Sequence, residues 1–115
     1  MPLAPSRLLV NPKRVTRGGL PQMFRNWELL WAPPPTVPDT HPLYFTSPWL
    51  SANVLSIDEK RVIVEMDEKP MIEFLTSHGF EPIPVRFRHV GSLGGGFHCA
   101  TIDIRRRGRL RSYFE

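Results

Sequence analysis

The chain has 115 residues, a length that suits one small domain, and we expect residues 1–115 to form a single domain. Hydrophobic residues make up 41% and charged residues 23% of the sequence, which is typical of a folded protein and argues against a disordered one. The single cysteine excludes an intrachain disulfide framework and fits a reducing compartment, so we expect a cytoplasmic protein. No apolar run is long enough to cross a membrane, and we expect no membrane partner.

The net charge of +4 comes from one short segment near the C-terminus. Without its five arginines, 10 basic residues stand against 11 acidic ones. These arginines are Arg105, Arg106, Arg107, Arg109 and Arg111. A local arginine cluster can bind the phosphates of nucleic acid, but no aromatic stacking residues are interleaved with this one. We therefore expect a solvated or subunit-facing surface and no nucleic-acid partner.

The predicted elements of the first half alternate between strand and helix, which favours an α/β fold. Residues 7–11 form a short apolar strand. A short helix is predicted over residues 20–26, directly after the pair Gly18 and Gly19. Residues 28–31 form the next strand.

A hairpin and a helix are predicted in the second half. Residues 53–57 and 61–65 have strand composition, and the three polar residues between them suit a tight turn. A helix over residues 68–78 follows, with Asp67 as its N-cap and Gly79 as its C-terminal stop. The last strands are predicted over residues 82–87 and 99–104.

The strand pattern contains a weak internal repeat. Leu8 and Val62 lie 54 positions apart, and so do Leu29 and Ile83. Repeated strand–helix–strand units at a constant offset indicate a propeller-like or duplicated α/β architecture.

Six prolines lie between residues 32 and 48. One interpretation is a stiff polyproline linker. However, the segment also carries Tyr44 and Phe45, with Trp49 just beyond it, and aromatic side chains prefer burial. We therefore favour an ordered loop over the core that brings Thr46 and Ser47 to a site.

The only cysteine, Cys99, follows the glycine run Gly94, Gly95 and Gly96 after an intervening Phe-His pair. Three glycines in a row indicate a backbone that needs positive φ or a very close approach. A thiol just beyond such a turn can be presented to a substrate as a nucleophile, and the glycines would shape its loop. The alternative is a buried, inert cysteine after a flexible turn.

The glycine–cysteine segment 93–99 and the arginine segment 103–108 together form a specific signature. Further matching segments lie at residues 11–14 (Asn-Pro-Lys-Arg), 38–43 (Pro-Asp-Thr-His-Pro-Leu), 49–55 (Trp-Leu-Ser-Ala-Asn-Val-Leu), 58–62 (Asp-Glu-Lys-Arg-Val) and 109–113 (Arg-Leu-Arg-Ser-Tyr). With these segments the chain resembles, over essentially its whole length, the C-terminal part of the glycine (arginine:glycine) amidinotransferases. That family belongs to the guanidine-modifying, or pentein, superfamily.

The resemblance implies a fold and a site. In that family five ββαβ modules surround a substrate channel, so this chain is expected to form a partial pentein-type α/β propeller, about two modules of five. The resemblance also implies that Cys99 is the catalytic cysteine and that Arg14 pairs with the substrate carboxylate. Thr46 and Ser47 match the hydroxyl pair that holds the amino-acid end of the substrate.

The expected reaction moves the amidino group of arginine to an amine acceptor such as glycine through an amidino-cysteine. A guanidinium carbon is a poor electrophile, and a thiolate is the strongest nucleophile that a protein side chain offers. The fork of donors on Arg14 suits a bidentate contact with a carboxylate. No cofactor and no metal are expected, because the four histidines and one cysteine lack zinc-ligand spacing.

One departure from the family pattern matters. The family's His-x-Asp stretch lies immediately before the region that matches Met1, and its guanidinium-binding acidic residues lie earlier still. We therefore expect a C-terminal fragment that is inactive alone and that hides apolar surface by forming a homo-oligomer, most simply a dimer. The alternative is a standalone, non-catalytic binding or oligomerisation module in which Cys99 is inert.

Overall fold

The computed structural model describes residues 1–36 and 47–108, which contain two three-stranded sheets. We call residues 1–32 the N-terminal module and residues 54–85 the C-terminal module. The strands of the two sheets are β1 (Pro2–Ala4), β2 (Arg7–Val10), β3 (Glu28–Trp31), β4 (Leu55–Ser56), β5 (Arg61–Glu65) and β6 (Glu81–Val85). The helices of the described part are α1 (Lys69–Ser77), α2 (Arg88–Gly91) and three 3-10 helices, Arg17–Gly19, Gln22–Phe24 and Pro48–Ala52.

Both modules have the same strand topology, which confirms the internal repeat. In each sheet the first two strands are antiparallel and the third is parallel to the middle one. Leu8 lies opposite Leu29, whereas Val62, its counterpart 54 positions later, lies opposite Pro82. In the third strands the offset between equivalent positions is therefore 53 residues. The predicted equivalence of Leu29 and Ile83, at an offset of 54, is wrong by one residue.

The connection between the parallel strands of the N-terminal module is not an α-helix. The predicted helix over residues 20–26 is wrong, because two 3-10 helices, Arg17–Gly19 and Gln22–Phe24, are found there. Pro21 has no backbone N–H to donate, and neighbouring glycines make a longer helix unfavourable. Short 3-10 turns need fewer consecutive residues in one conformation.

The corresponding connection of the C-terminal module is α1, close to its predicted position. Pro70 lies in its first turn, where a missing N–H is tolerated. Its N-cap is Glu68 rather than the predicted Asp67, and no side-chain bond caps the helix. The Glu68 carboxylate instead accepts a hydrogen bond from the backbone N–H of Thr36 at 2.9 Å. Gly79 ends the helix as predicted, with φ of +80°.

The two modules share one hydrophobic core. Leu3, Leu9 and Leu30 of the first sheet pack in the same cluster as Met71 and Leu75 of α1. A second cluster on the other side of the first sheet is formed by Leu8, Val10 and Trp27. This division follows from the alternation of side chains along β2.

Polar contacts also join the modules. The Ser56 hydroxyl donates to the carbonyl of Leu3 at 2.7 Å. The guanidinium of Arg7 lies 4.5 Å above the ring of Phe80 and pairs with Glu28 at 2.7 Å. The described residues therefore pack as a mixed α/β unit in which neither sheet closes into a barrel.

Within residues 1–36 and 47–108, the outer edge of β6 pairs with no other strand and carries two prolines. The N–H of Glu81 donates to Lys60, and the carbonyl of Val85 accepts from Met66, so the odd-numbered residues of β6 bond towards β5. Successive residues of a strand bond to opposite sides. Pro82 and Pro84 therefore face the other edge, and neither of them has an N–H.

The last predicted strand, residues 99–104, is wrong. Residues 97–100 form a turn in which the N–H of Ala100 donates to Gly96, and the chain continues without regular structure to residue 108. No neighbouring strand pairs with this segment within the described ranges, and Ile102 and Ile104 are exposed. The sequence pattern also missed β1 and α2.

Most of the proline-rich segment lies outside the described residues, including Thr46. Its flanks are anchored, because Ala32 is buried in the core and Trp49 packs against it. Among the described helices, none has the length and apolar character that a membrane span requires.

Candidate active site

The glycine run after α2 has a separate structural reason at each position. Gly94 adopts φ of +100°, which other residues rarely do. A Cβ on Gly95 would lie 3.0 Å from the Cβ of Cys99, and a Cβ on Gly96 would lie 2.7 Å from that of Asn53. The expectation of positive φ and close approach is confirmed.

Asn53 holds the segment that follows the glycine run. Its backbone carbonyl accepts from the N–H of Phe97 at 3.0 Å, and its side-chain Oδ1 accepts from the N–H of Cys99 at 3.1 Å. Its own N–H donates to Leu50 at 2.8 Å. Asn53 was not among the candidate residues, although it lies in one of the segments that carry the family resemblance.

Cys99 is exposed, so the expectation of a buried cysteine under the alternative interpretation is wrong. Its neighbour His98 is exposed as well. The hydrogen bond from its backbone N–H to Asn53 holds Cys99 in position, and the residue is still exposed to solvent. An accessible, positioned thiol is what nucleophilic attack requires.

A small pocket of about 30 Å³ lies behind the glycine run. It is lined by the 3-10 helix Pro48–Ala52, by α2 and by Gly95 and Gly96. Two buried polar atoms on its walls, the Ser51 hydroxyl and Nε of Arg88, have no hydrogen-bond partner among the residues that the structure describes. Water needs roughly 10–15 Å³ of such space, so the pocket has room for a water molecule between polar walls.

Two contacts at Phe87, the N-cap residue of α2, connect α2 to other residues that line this pocket. Oε2 of Glu65 accepts from the N–H of Phe87 at 2.7 Å. The rings of Phe87 and Phe97 stack with centroids 4.5 Å apart. The cysteine segment is therefore packed on one side although Cys99 itself faces solvent.

Arg14 lies in the loop after β2 and is exposed. The loop is shaped by Asn11, whose carbonyl accepts from the Arg14 N–H and whose side chain accepts from the Lys13 N–H at 2.9 Å. Within the described residues the Arg14 guanidinium makes no ion pair, so it is available to a carboxylate.

Ser47 starts the 3-10 helix Pro48–Ala52 as its N-cap, and its Oγ accepts from the N–H of Trp49 at 3.3 Å. No acceptor for its hydroxyl proton lies in the described part of the chain, so a ligand could take that hydrogen bond. The structure thus brings Gly95, Gly96 and Cys99 together around Asn53. No contact in the described part of the chain links Arg14 or Ser47 directly to Cys99.

One tail arginine has an internal role. Arg106 pairs with Asp103 at 2.6 Å and donates to the carbonyl of Ser56 at 2.7 Å. The hydrogen bond from Arg106 lowers the pKa of Asp103 from its usual value. Arg106 therefore holds the segment after Cys99 against β4, which the expectation of a merely solvated or subunit-facing cluster did not anticipate.

No group of three or more His, Cys, Asp or Glu side chains in residues 1–36 and 47–108 is arranged to hold a metal ion. No protein-family model matches the sequence.

Individual proteins do match. The chain is 54% identical over 113 residues to the L-arginine:L-lysine amidinotransferase of Pseudomonas savastanoi pv. phaseolicola, covering 98% of this chain and 31% of that protein. It is 46% identical over 114 residues to the mitochondrial glycine amidinotransferase of Danio rerio, covering 97% of this chain and 26% of that protein. The chain matches the C-terminal part of the amidinotransferase family.

Solved amidinotransferases, which belong to the pentein superfamily, agree with this result. An amidinotransferase of the saxitoxin biosynthetic pathway from Microseira wollei superposes with a TM-score of 0.90 at 47% identity, covering 99% of this chain and 32% of that one. The inosamine-phosphate amidinotransferase of Streptomyces griseus gives 0.90 at 35% identity, covering 99% and 33%. Amidinotransferase structures are propeller-like, and the two modules here match a part of that architecture. The chain spans about a third or less of the length of these relatives.

Proposed function

We propose that this chain is the nucleophile-bearing part of an amidinotransferase that transfers the amidino group of arginine to an amine. The observation that carries the proposal is Cys99, the only cysteine, exposed and held at the end of a glycine turn in a chain that resembles amidinotransferases. Each further step rests on the chemistry of the side chains described above.

In the proposed reaction the Cys99 thiolate attacks the guanidinium carbon of arginine and forms a C–S bond. The bond from that carbon to Nε of the substrate arginine then breaks, this nitrogen gains a proton, and ornithine leaves with it as its side-chain amine. The acceptor amine attacks the amidino-cysteine, loses a proton and releases the thiolate. No oxidation or reduction occurs, and no cofactor is required.

Arg14, Ser47 and Thr46 are the proposed substrate-binding residues. The exposed guanidinium of Arg14 offers a bidentate contact to the carboxylate of the amino-acid substrate. The Ser47 hydroxyl can donate a hydrogen bond, because its oxygen serves the helix cap while its proton is available. Thr46 is proposed from the family resemblance alone.

The general acid–base histidine and the carboxylates that hold the guanidinium are proposed to come from outside this chain. We therefore expect residues 1–115 alone to show no turnover. Glycine is one proposed acceptor; the relatives' names also include lysine and an inosamine phosphate. A cytoplasmic location remains a prediction from the single cysteine.

A chimera tests the proposal. The first two-thirds of the Pseudomonas savastanoi relative is joined to this chain, and ornithine release from arginine is measured with lysine or glycine as acceptor. We expect release together with an arginine-dependent mass adduct on Cys99, and loss of both in Cys99→Ala. A chimera that is folded and whose Cys99 reacts with iodoacetamide, but that forms no adduct, would contradict the proposal.

The second candidate is a non-catalytic oligomerisation module, and a homodimer is proposed under either function. Leu93, Ile102 and Ile104 are 84%, 87% and 96% exposed, an arrangement that association can relieve. Light scattering of the chain at micromolar concentration is expected to give the mass of a dimer. A monomer there would count against association, and dimers without any adduct in the chimera would favour the non-catalytic module.

A further inference from the structure

Asn53 contacts the cysteine segment at three separate points. Its carbonyl and its side-chain Oδ1 accept from the N–H groups of Phe97 and Cys99, at 3.0 and 3.1 Å. Its Cβ, carbonyl and Oδ1 all lie within 2.8 Å of where a Cβ of Gly96 would be. Two hydrogen bonds to alternate residues, with a close contact at the residue just before them, leave this backbone little freedom to shift.

Cys99 itself has few other contacts in the described structure, although Phe97, two residues before it, stacks on Phe87. The residue is exposed, and the turn bonds around it run from Ala100 to Gly96 and from Thr101 to His98, past Cys99 itself. The bond from its N–H to Asn53 spans 46 positions of sequence and is the contact that ties Cys99 to the rest of the described structure. The placement of the Cys99 backbone, from which the thiol projects, therefore depends largely on this one side-chain acceptor.

Asn53 is itself held by a short rigid element. It is the C-cap of the 3-10 helix Pro48–Ala52, and Ser47 is the N-cap of the same helix. A 3-10 helix rises about 2 Å per residue, which places the two caps about 12 Å apart. One element thus connects the proposed substrate-binding hydroxyl to the residue that holds the nucleophile.

We propose that Asn53 is the positioning residue of Cys99: its side-chain oxygen, fixed by the 3-10 helix, sets the place from which the thiol attacks. The assignment rests on the proposed function only for its effect on catalysis. The hold on the Cys99 backbone is a separate property that can be measured without substrate. Gly96 is required because any side chain there collides with Asn53.

Amide hydrogen exchange in the ¹⁵N-labelled 115-residue chain measures the hold directly. In Asn53→Leu, exchange at the Cys99 N–H is expected to accelerate by about tenfold or more, as for the loss of one hydrogen bond. Exchange at the Phe97 N–H is expected to remain slow, because its acceptor is the backbone carbonyl of residue 53. Asn53→Asp keeps an acceptor oxygen and is expected to retain slow exchange at both amides.

Asn11→Leu is the matched control. It removes the same kind of bond, from a backbone N–H to an asparagine side chain at 2.9 Å, but in the N-terminal module. It is expected to leave exchange at Cys99 unchanged. Should Asn53→Leu unfold the chain, Asn53→Ala removes the acceptor without adding apolar bulk. Unchanged exchange at the Cys99 N–H in a folded Asn53→Leu or Asn53→Ala variant would show that the Asn53 side chain does not hold the Cys99 backbone.

The catalytic consequence is measured in the chimera described above. Asn53→Leu is expected to slow adduct formation at saturating arginine by about 10- to 100-fold, because small misplacements of reacting groups are costly. The arginine concentration for half-saturation is expected to stay the same, and Asn53→Asp is expected to restore most of the rate. A rate that does not change in Asn53→Leu would overturn the positioning role.

These two experiments separate the possible failures. If the unsubstituted chimera forms no adduct, the proposed function fails, and hydrogen exchange still decides whether Asn53 holds Cys99. If the unsubstituted chimera is active and Asn53→Leu matches it while exchange at Cys99 accelerates, Asn53 holds the backbone but does not position the thiol.

Discussion

The N- and C-terminal modules have the same strands but differ in how one face of the sheet is covered. Leu30 in β3 and Ile83 in β6 occupy the same register position, opposite Leu9 and Ile63 respectively. Leu30 is 1% exposed, whereas Ile83 is 37% exposed. The face that carries Leu30 packs in the core that includes α1 of the following module, and β6 has no such neighbour among the described residues.

This difference teaches that burial of this one sheet position depends on the adjacent module and not only on the module that carries it. Equal strand topology does not give equal stability, because an apolar side chain stabilises only where it leaves water. In the N-terminal module two 3-10 helices, and no α-helix, connect the parallel strands β2 and β3. Its second cluster, around Trp27, covers the remaining face of its sheet.

The largest expected effect is a difference in stability loss between substitutions at the equivalent positions Leu30 and Ile83. Leu30→Ala is expected to lower the free energy of unfolding by about 2–5 kcal/mol, because it leaves a cavity in the shared core. Ile83→Ala is expected to cost about 1–2 kcal/mol, since about a third of its surface is already in water and the site can refill with solvent. Urea titration of both variants measures this, and similar losses would contradict the difference in coverage.

Two glycines provide the next test. Gly96→Ala places a Cβ 2.7 Å from Asn53 and is expected to cost about 1–3 kcal/mol of stability. Gly18 in the N-terminal module has nothing within 4 Å of a Cβ, so Gly18→Ala is expected to change stability by less than about 0.5 kcal/mol. Thermal melts of the two variants side by side decide the matter.

A smaller effect is expected at the junction of the modules. Ser56→Ala removes the hydroxyl that donates to Leu3 across the junction, and about 1 kcal/mol of stability should be lost. Ser92→Ala is the control, because that hydroxyl bonds only to the nearby carbonyl of His89. Equal melting temperatures for the two variants would indicate that the hydrogen bond across the junction contributes nothing.

The smallest expected effect is a difference in acid sensitivity between the β4–β5 hairpin and the β1–β2 hairpin. Backbone N–H groups of Arg61 and Lys60, with the Arg61 side chain, lower the pKa of Asp58 from 3.8 to about 2. A lowered pKa in the folded state gives stability that is present above pH 3.8 and is lost as the pH falls towards 2. Asp58→Asn should flatten the pH dependence of melting in that interval.

The turn between β1 and β2 offers the contrast, since its residues Pro5 and Ser6 do not titrate. As the pH is lowered, the protection of backbone amides from hydrogen exchange is therefore expected to be lost in the β4–β5 hairpin before it is lost in the β1–β2 hairpin. If both hairpins respond together, the acid sensitivity arises elsewhere.

The sequence predicted most strands because β-branched and leucine runs such as residues 61–65 have one reasonable structure. It also predicted the close approaches of the glycine run, because only a few backbone conformations require consecutive glycines. The helix over residues 20–26 and the strand over 99–104 were wrong for different reasons. Proline and glycine disrupted the first, and the second lacked a partner strand, which composition alone does not reveal.

The site was predicted unevenly for the same reason. Cys99 and its glycines lie together in sequence, so a local pattern could find them. Asn53 lies 46 positions away from Cys99, and its side chain has no motif that indicates a distant backbone N–H. Contacts between segments so far apart in sequence are set by tertiary structure, which a single sequence does not display.

The prolines on the outer edge of β6 limit how this molecule can associate. Pro82 and Pro84 present carbonyls but no N–H donors along that edge, so another strand cannot continue the sheet there with a full ladder. Amyloid-like stacking and strand exchange through β6 are disfavoured for the same reason. A partner on this side of the molecule, a second copy included, is therefore expected to be recognised more by side-chain packing against the sheet face than by main-chain pairing.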